Sequence, residues 1–387
     1  MAGIYLDHSA TTPVRPEVVE AMLPYLGASF GNPSSIHFYG QQAKAALDQS
    51  RDILAGSLDA IPAEIIFTGG GTEADNLALL GTLLASPESR RHFITSAVEH
   101  DAILKTAEFL NKIGCSVTIV GVDSEGIVDP ADVASAIRED TALVSIMHGN
   151  NEVGAIQNIE EISKITQDRG VLLHSDAVQT FGQLNVNVEK LGVDLLSVSS
   201  HKIYGPKGVG ALYVRQGTPI VAEIYGGGQE RGRRSGTENV PGIVGFATAV
   251  ELLHNDRSET ASQMAVLRDR FIDRALNEIP GAFLNGPTGA KRLPNNINLS
   301  FQNIEGEALL LNLDIAGIAA SSGSACSAGS IDSSHVLVAM GIESSRSRGA
   351  IRLSLGRTTT AAELDTCFEI LAETTARLTE MYSHSLR

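Results

Sequence analysis

Leu195-Leu196-Ser197-Val198-Ser199-Ser200-His201-Lys202-Ile203-Tyr204-Gly205-Pro206-Lys207-Gly208 is an apolar run that ends in a basic residue and a glycine–proline turn. The run reads as a β-strand, and Lys202 stands just beyond its carboxyl end. A lysine in that place is a candidate Schiff-base former. Upstream, Val171-Leu172-Leu173-His174-Ser175-Asp176 has the same form, with a carboxylate at its end. Far downstream, Ser321-Ser322-Gly323-Ser324-Ala325-Cys326-Ser327-Ala328-Gly329-Ser330 surrounds one thiol with small residues. A thiol there is a candidate nucleophile or carrier. Lysine and cysteine together suggest a cofactor enzyme that hands something to a cysteine.

Outward from that strand, apolar runs at 65–68, 92–96, 117–120, 142–147, 171–175, 195–199 and 210–214 alternate with helical patterns. The helical patterns lie at 41–58, 72–84, 101–112, 130–137 and 160–168. The alternation predicts an α/β fold with a mostly parallel sheet covered by helices. From about residue 260 the pattern changes. An amphipathic helix at 260–279 leads to a strand at 297–301, the small-residue stretch, a strand at 351–354 and a closing helix at 361–382. We read residues 15–258 as a large domain, and 1–14 with 259–387 as a smaller α+β domain carrying the cysteine loop. There is no internal repeat, and 321–330 is the only low-complexity stretch.

At 387 residues, two domains are the natural expectation. A hydrophobic content of 43% and a mean hydropathy of +0.06 describe an ordinary soluble globular protein. The net charge of −16 argues against nucleic acid or an anionic membrane as partner, since both need clustered positive charge. Arg231, Arg233 and Arg234 form the one basic cluster. The three cysteines, Cys115, Cys326 and Cys367, are odd in number and widely spaced, which fits neither a disulfide framework nor a zinc site. Cys115 and Cys367 lie in apolar patterns and read as core residues. A reducing cytoplasm is the expected compartment. The N-terminus lacks the basic and apolar regions of a signal peptide, and no uncharged run is long enough to span a bilayer.

Ligands of open α/β sheets bind beyond the carboxyl ends of the strands, and four features fall there. Thr68-Gly69-Gly70-Gly71-Thr72-Glu73 joins a strand to a helix and suits a phosphate, although a plain glycine turn has the same form. Asp176 could keep a pyridine nitrogen protonated, which makes pyridoxal phosphate (PLP) an electron sink. It could equally be a helix cap or one half of a salt bridge. His100, in Glu99-His100-Asp101, could stack on a planar ring and move protons, or be structural. Lys202, flanked by Ser199 and His201, completes the set. No single feature decides, but the four in this order are more specific.

Those residues carry a family resemblance over nearly the whole chain. The motifs are Tyr5-Leu6-Asp7 with Ala10-Thr11-Thr12-Pro13, Gly31-Asn32-Pro33-Ser34-Ser35, 68–76, Glu99-His100, Asn150-Asn151-Glu152-Val153-Gly154, Asp176-Ala177-Val178-Gln179, 199–208, 226–237, 321–330 and 351–357. The chain resembles a PLP-dependent cysteine desulfurase of the NifS/IscS type, in the class-V aminotransferase group of fold type I. The resemblance implies that Lys202 holds PLP and later moves the substrate Cα proton. Gly71, Thr72, Ser199 and His201 would bind the phosphate. Asp176 would pair with the ring nitrogen, Gln179 would reach the phenolic oxygen, and His100 would stack on the ring as acid/base. Asn151 would border both cofactor and substrate. Asn32, Asn151 and Arg352 would hold the substrate carboxylate, with Arg352 as a bidentate clamp. Thr237 would reach the phosphate of a neighbouring subunit, which implies a homodimer and gives the basic cluster a purpose.

The implied reaction converts L-cysteine to L-alanine and leaves the sulfur as a persulfide on Cys326. A mobile loop would then carry it to an iron–sulfur scaffold or another sulfur-acceptor protein, or into tRNA thiolation. Another class-V aminotransferase, which needs no Cys326, and a selenocysteine lyase are the nearest alternatives. A non-catalytic scaffold on this fold is expected to lack Lys202, Asp176 or Arg352, and all three are present. The chain departs from the pattern at His8 and Ser9, where many relatives have Asn and Ala, and at Asp101, where Lys or His is common. It also ends at Arg387, short of the tail with which some relatives dock an iron–sulfur scaffold, so that partner is less expected.

Overall fold

A computed structural model describes residues 3–322 and 334–385. Cys326 and most of the small-residue stretch lie outside the described residues. The strands in chain order are β1 (Ile4–Tyr5), β2 (Ile65–Thr68), β3 (His92–Ser96), β4 (Ser116–Val120), β5 (Thr141–Ser145) and β6 (Leu172–Asp176). After these come β7 (Leu195–Ser199), β8 (Gly210–Val214), β9 (Ala282–Leu284), β10 (Asn296–Phe301), β11 (Ile318–Ala319) and β12 (Ala350–Ser354).

Seven strands form the main sheet in the order β2-β8-β7-β6-β5-β3-β4. The pairs among β7, β6, β5, β3 and β4 are parallel, as the alternation of runs predicts. Strands buried on both faces need helices above and below, and their sequences are accordingly rich in Leu, Ile, Val and Phe. β8 alone runs the other way and pairs antiparallel with both β7 and β2. Two reversals cancel, so β2 points in the same direction as β7. The carboxyl ends of β2, β3, β5, β6 and β7 therefore open on one edge, which is where ligands of such sheets bind.

The second sheet is small and antiparallel, β12-β10-β9, and β1 pairs in parallel with β11 beside it. Leu6 joins Ile297, Leu299, Ile351, Leu353 and Phe368 in the core under this sheet. The 260–279 helix of the sequence reading is the second half of a longer one, Val240–Glu278, of 39 residues. Its first half buries Ile243, Phe246 and Val250 in the core of the main sheet, and its second half buries Phe271, Ile272 and Ala275 in the small core. The expected boundary at 258/259 thus falls inside a continuous helix. The polar segment His254–Thr260 contains no glycine or proline, so nothing in it stops the helix.

Cys115 and Cys367 are buried and free, as expected of core thiols. Burial raises both thiols, Cys367 to about 12, so neither is nucleophilic near neutral pH. Among the described residues no helix is long and apolar enough to cross a membrane.

Candidate active site

A cavity of about 790 Å³ lies at the common strand edge, and Gly70, Gly71, Thr72, Ser199, His201 and Lys207 are among its walls. The helix Gly71–Ala85 starts here without a side-chain cap, so its first-turn N–H groups have no capping acceptor. The glycines are needed for close approach. A Cβ on Gly71 would sit 2.8 Å from Val178 Cγ2, and one on Gly210 of β8 would meet the Gly70 carbonyl carbon at 2.7 Å. Ser199 Oγ is buried with no hydrogen-bond partner among the described residues. A buried hydroxyl without a partner is costly, and an anion seated over the helix start would satisfy it. The residues present therefore fit a phosphate.

Lys202 follows on the turn after β7. Its Nζ donates to Ala10 O at 2.8 Å and to Ser9 O, and Gln179 Nε2 donates to the same Ser9 carbonyl at 3.0 Å. The turn is held by the N-terminal segment. Thr12 N and Oγ1 donate to His201 O at 3.0 and 2.9 Å, and Tyr204 N donates to Thr12 Oγ1 at 2.7 Å. Tyr204 sits in the left-handed region (φ 66°), a strained conformation for a tyrosine that these contacts impose two residues from the lysine. The sequence reading did not foresee this use of residues 9–12. The Ala10-Thr11-Thr12-Pro13 motif was the available signal.

Asp176 ends β6, is buried, and accepts a hydrogen bond from Val178 N at 2.8 Å. Burial raises its pKa, against the opposing pull of His100, the Val178 N–H and Lys202. Two residues back, His174 lies between Ser145 Oγ at 2.8 Å and Ser197 Oγ at 3.0 Å, and burial pushes it down to about 3, so it is neutral. Asp75 and Glu99 are also buried near Asp176. Burial holds Asp75 well above the usual carboxylate range and lifts Glu99 to about 8. Asp176 thus sits among groups that burial keeps uncharged, where a cationic ring nitrogen would be its natural partner.

His100 caps the helix Asp101–Lys112, its Nδ1 accepting from Ala102 N at 3.1 Å. His201 contacts Thr11 Oγ1 at 3.2 Å, and burial with the neighbouring Lys202 and Lys207 lowers it to about 4. It is therefore neutral at physiological pH.

Arg352, on β12, is buried. Its Nη2 donates to Asp7 Oδ1 at 2.9 Å and its Nη1 to Asn151 O at 3.0 Å. The turn that offers Asn151 is fixed by Asn150, whose Oδ1 accepts from Glu152 N and Val153 N, both at 2.8 Å. Glu152 accepts from Ser334 Oγ, and His335 Nε2 contacts Glu99 O at 2.9 Å. Segments hundreds of residues apart thus converge on one guanidinium.

Of the expected site residues, Gly71, Thr72, Ser199 and His201 line this cavity, whereas Lys202, Asp176, Gln179, His100, Asn151, Arg352, Asn32 and Thr237 are not among its lining residues. Asn32 is exposed, its Oδ1 taken by Ser34 N at 2.9 Å, and Thr237 is exposed too. Two arginines of the basic cluster also bond within their own chain. Arg234 pairs with Glu73 at 2.7 Å, and Arg231 donates to the carbonyls of Pro62, Ala63 and Ile65. Both therefore brace the start of β2 and the phosphate turn of their own chain.

The family model described as "Aminotransferase class-V" matches residues 4–367. A protein named "Cysteine desulfurase IscS" from Dictyoglomus turgidum is 49% identical over 368 residues, covering 95% of this chain and 93% of that protein. The solved structure of a "NIFS-LIKE PROTEIN" superposes with a TM-score of 0.91 at 40% identity, over 97% of this chain and all of that one (100%). A third, "SspA in complex with cysteine", superposes with a TM-score of 0.82 at 38% identity, over 92% of this chain and 100% of that one.

Proposed function

The chain belongs to the class-V aminotransferase family, and from that premise we propose that it is a PLP-dependent cysteine desulfurase that converts L-cysteine to L-alanine. The single observation that carries the reading is the strand-edge cavity with an uncapped helix start and an unsatisfied Ser199 hydroxyl at one wall and Lys202 beside it. Gly71, Thr72, Ser199 and His201 would hold the cofactor phosphate, Asp176 would pair with its ring nitrogen, Gln179 would reach its phenolic oxygen, and Lys202 would hold it covalently. When bound, PLP supplies a sink for the electrons released at the substrate Cα.

The chain's own groups do the rest. Arg352, with Asn151 and Asn32, holds the substrate α-carboxylate, which orients the Cα–H bond. Lys202 Nζ takes the Cα proton, and the carbonyls of Ser9 and Ala10 are placed to receive that amine as a cation. His100, at the start of the helix Asp101–Lys112, serves as a second proton carrier. The Cys326 thiolate attacks the substrate sulfur. The S–S bond of a persulfide forms as the C–S bond breaks; the released electron pair takes up a proton at Cβ, and Lys202 returns its proton to Cα to complete alanine.

Two copies complete the site. Thr237 is exposed and outside its own cavity, as suits a residue serving a neighbour, and Ile36 (92% exposed), Phe30 (70%) and Tyr225 (80%) offer apolar surface to a second copy. The sulfur goes on to an acceptor protein in the cytoplasm, an iron–sulfur scaffold or a tRNA-thiolating partner.

The test is one incubation of purified protein with PLP, L-cysteine and a thiol reductant, with alanine and sulfide measured together. Equal amounts of both are expected, with the sulfide lost in Cys326→Ala while PLP stays bound. A yellow protein that yields no sulfide from cysteine would keep the cofactor and exclude the substrate.

A further inference from the structure

Arg352 is already engaged by a carboxylate of its own chain. The Asp7 Oδ1 to Arg352 Nη2 contact of 2.9 Å pairs a guanidinium only 2% exposed with an acid 20% exposed. Asn151 O takes Nη1 at 3.0 Å, and Arg352 Nε is buried with no partner among the described residues. A buried guanidinium without an anion is strongly unfavourable, so Asp7 both aims this one and offsets its charge. The position of Asp7 does not depend on its carboxylate. Its main chain is held by Tyr5 Oη, which donates to Asp7 O at 3.1 Å, and by flanking bonds from Ser354 N to Leu6 O (2.7 Å) and from Ser9 N to Ser354 Oγ (2.8 Å).

We propose that Asp7 is a positioning residue that sets how tightly Arg352 binds the α-carboxylate of an amino-acid substrate. The inference rests on Arg352 being the carboxylate clamp. Asp7 acts in two opposed ways. Its oxygen orients the guanidinium, which helps an arriving carboxylate. Its charge repels that carboxylate, which weakens binding. Asparagine keeps the oxygen and removes the charge, whereas alanine removes both.

The two substitutions therefore move affinity in opposite directions, a pattern that a merely structural role cannot produce. D7N is expected to lower the KM for L-cysteine about threefold to tenfold, the size of a partly screened charge term. D7A is expected to raise it by a similar factor. The Kd for L-alanine, a carboxylate ligand without sulfur, is read from the change it causes in the visible absorbance of the PLP-loaded protein. It should shift in parallel with KM, with the larger part of the kinetic effect in KM rather than kcat. An unchanged D7N, or D7N and D7A weakened alike, overturns the inference. R352Q is the reference. If R352Q binds L-alanine as the wild type does, the clamp assignment itself has failed; if R352Q loses binding while D7N does not tighten it, only the role of Asp7 has.

Discussion

The two walls of the active site are built in different ways. The Lys202 wall comes from strands of the one seven-stranded sheet that point the same way. Thr68, Asp176 and Ser199 are the last residues of their strands, and Lys202 follows three residues after Ser199. The register of the sheet alone brings them to one edge. The Arg352 wall has no such frame. Asp7 and Arg352 are separated by 345 residues, and Asn151 and Arg352 by 201, and they meet because the small sheet docks β12 against the N-terminal segment. One wall is held by backbone ladders, the other by side-chain bonds to a single charge. Backbone ladders tolerate side-chain change, whereas a charge-centred cluster fails when any member goes. The lysine wall should therefore lose chemistry, and the arginine wall affinity, when a side chain is removed.

The largest expected effect is at Lys202. Lys202→Ala should lower turnover roughly ten-thousandfold, since nucleophile and proton carrier are lost together, while phosphate contacts keep PLP in the protein. Stopped-flow absorbance with L-cysteine checks both, and turnover within tenfold of wild type would break the assignment. Next is Arg352→Gln, expected to reduce kcat/KM roughly 30- to 3,000-fold, because Asp7 is left half-buried without its cation. A loss confined to kcat, with KM unchanged, would erase the contrast between the walls. Ser199→Ala should weaken retention of PLP roughly tenfold, the value of one hydrogen bond to a charged group. Equilibrium dialysis measures it, and unaltered retention would remove that hydroxyl from the phosphate site.

The smallest effect concerns the buried acid between the walls. Burial lets folded Glu99 keep its proton to about pH 8, against an ordinary glutamate value of 4.5. The folded state therefore binds more protons than the unfolded one in that window, and stability falls as pH rises through it. His148 and His201, lowered to about 4, act oppositely and lose stability as pH falls below about 6.5. Between about pH 7 and 8.5 the histidines no longer contribute and Glu99 still does, so Glu99→Gln should make the fall in stability shallower by roughly 1 kcal/mol. Urea unfolding of the cofactor-free protein at both pH values decides, and parallel curves would contradict the sign.

What was legible in the sequence follows the same division. The strands ending at Thr68, Ser96 and Ser199 coincide with the runs read from the sequence, because residues buried on both faces leave a dense local cluster of apolar residues. Strand 142–147 was read too long. β5 stops at Ser145, and Met147 N–H turns instead to the Glu99 carboxylate at 2.9 Å. The helix 260–279 was read too short, since its first half is apolar in a pattern set by another core. The pairing of Arg234 with Glu73 was not legible in the sequence, because the two lie 161 residues apart.

The sequence by itself determined the order of strands and helices, the residues at the strand ends and the family. Each of these depends on local periodicity or on a contiguous motif. Only the tertiary structure decided that Ser9 and Ala10 receive the Lys202 amine, that Asp75 and Glu99 are buried beside Asp176, and that Asp7 faces Arg352. Charge pairing and burial depend on distance in space, and a chain that returns to its own N-terminus after more than three hundred residues (345 between Asp7 and Arg352) carries no local trace of that contact.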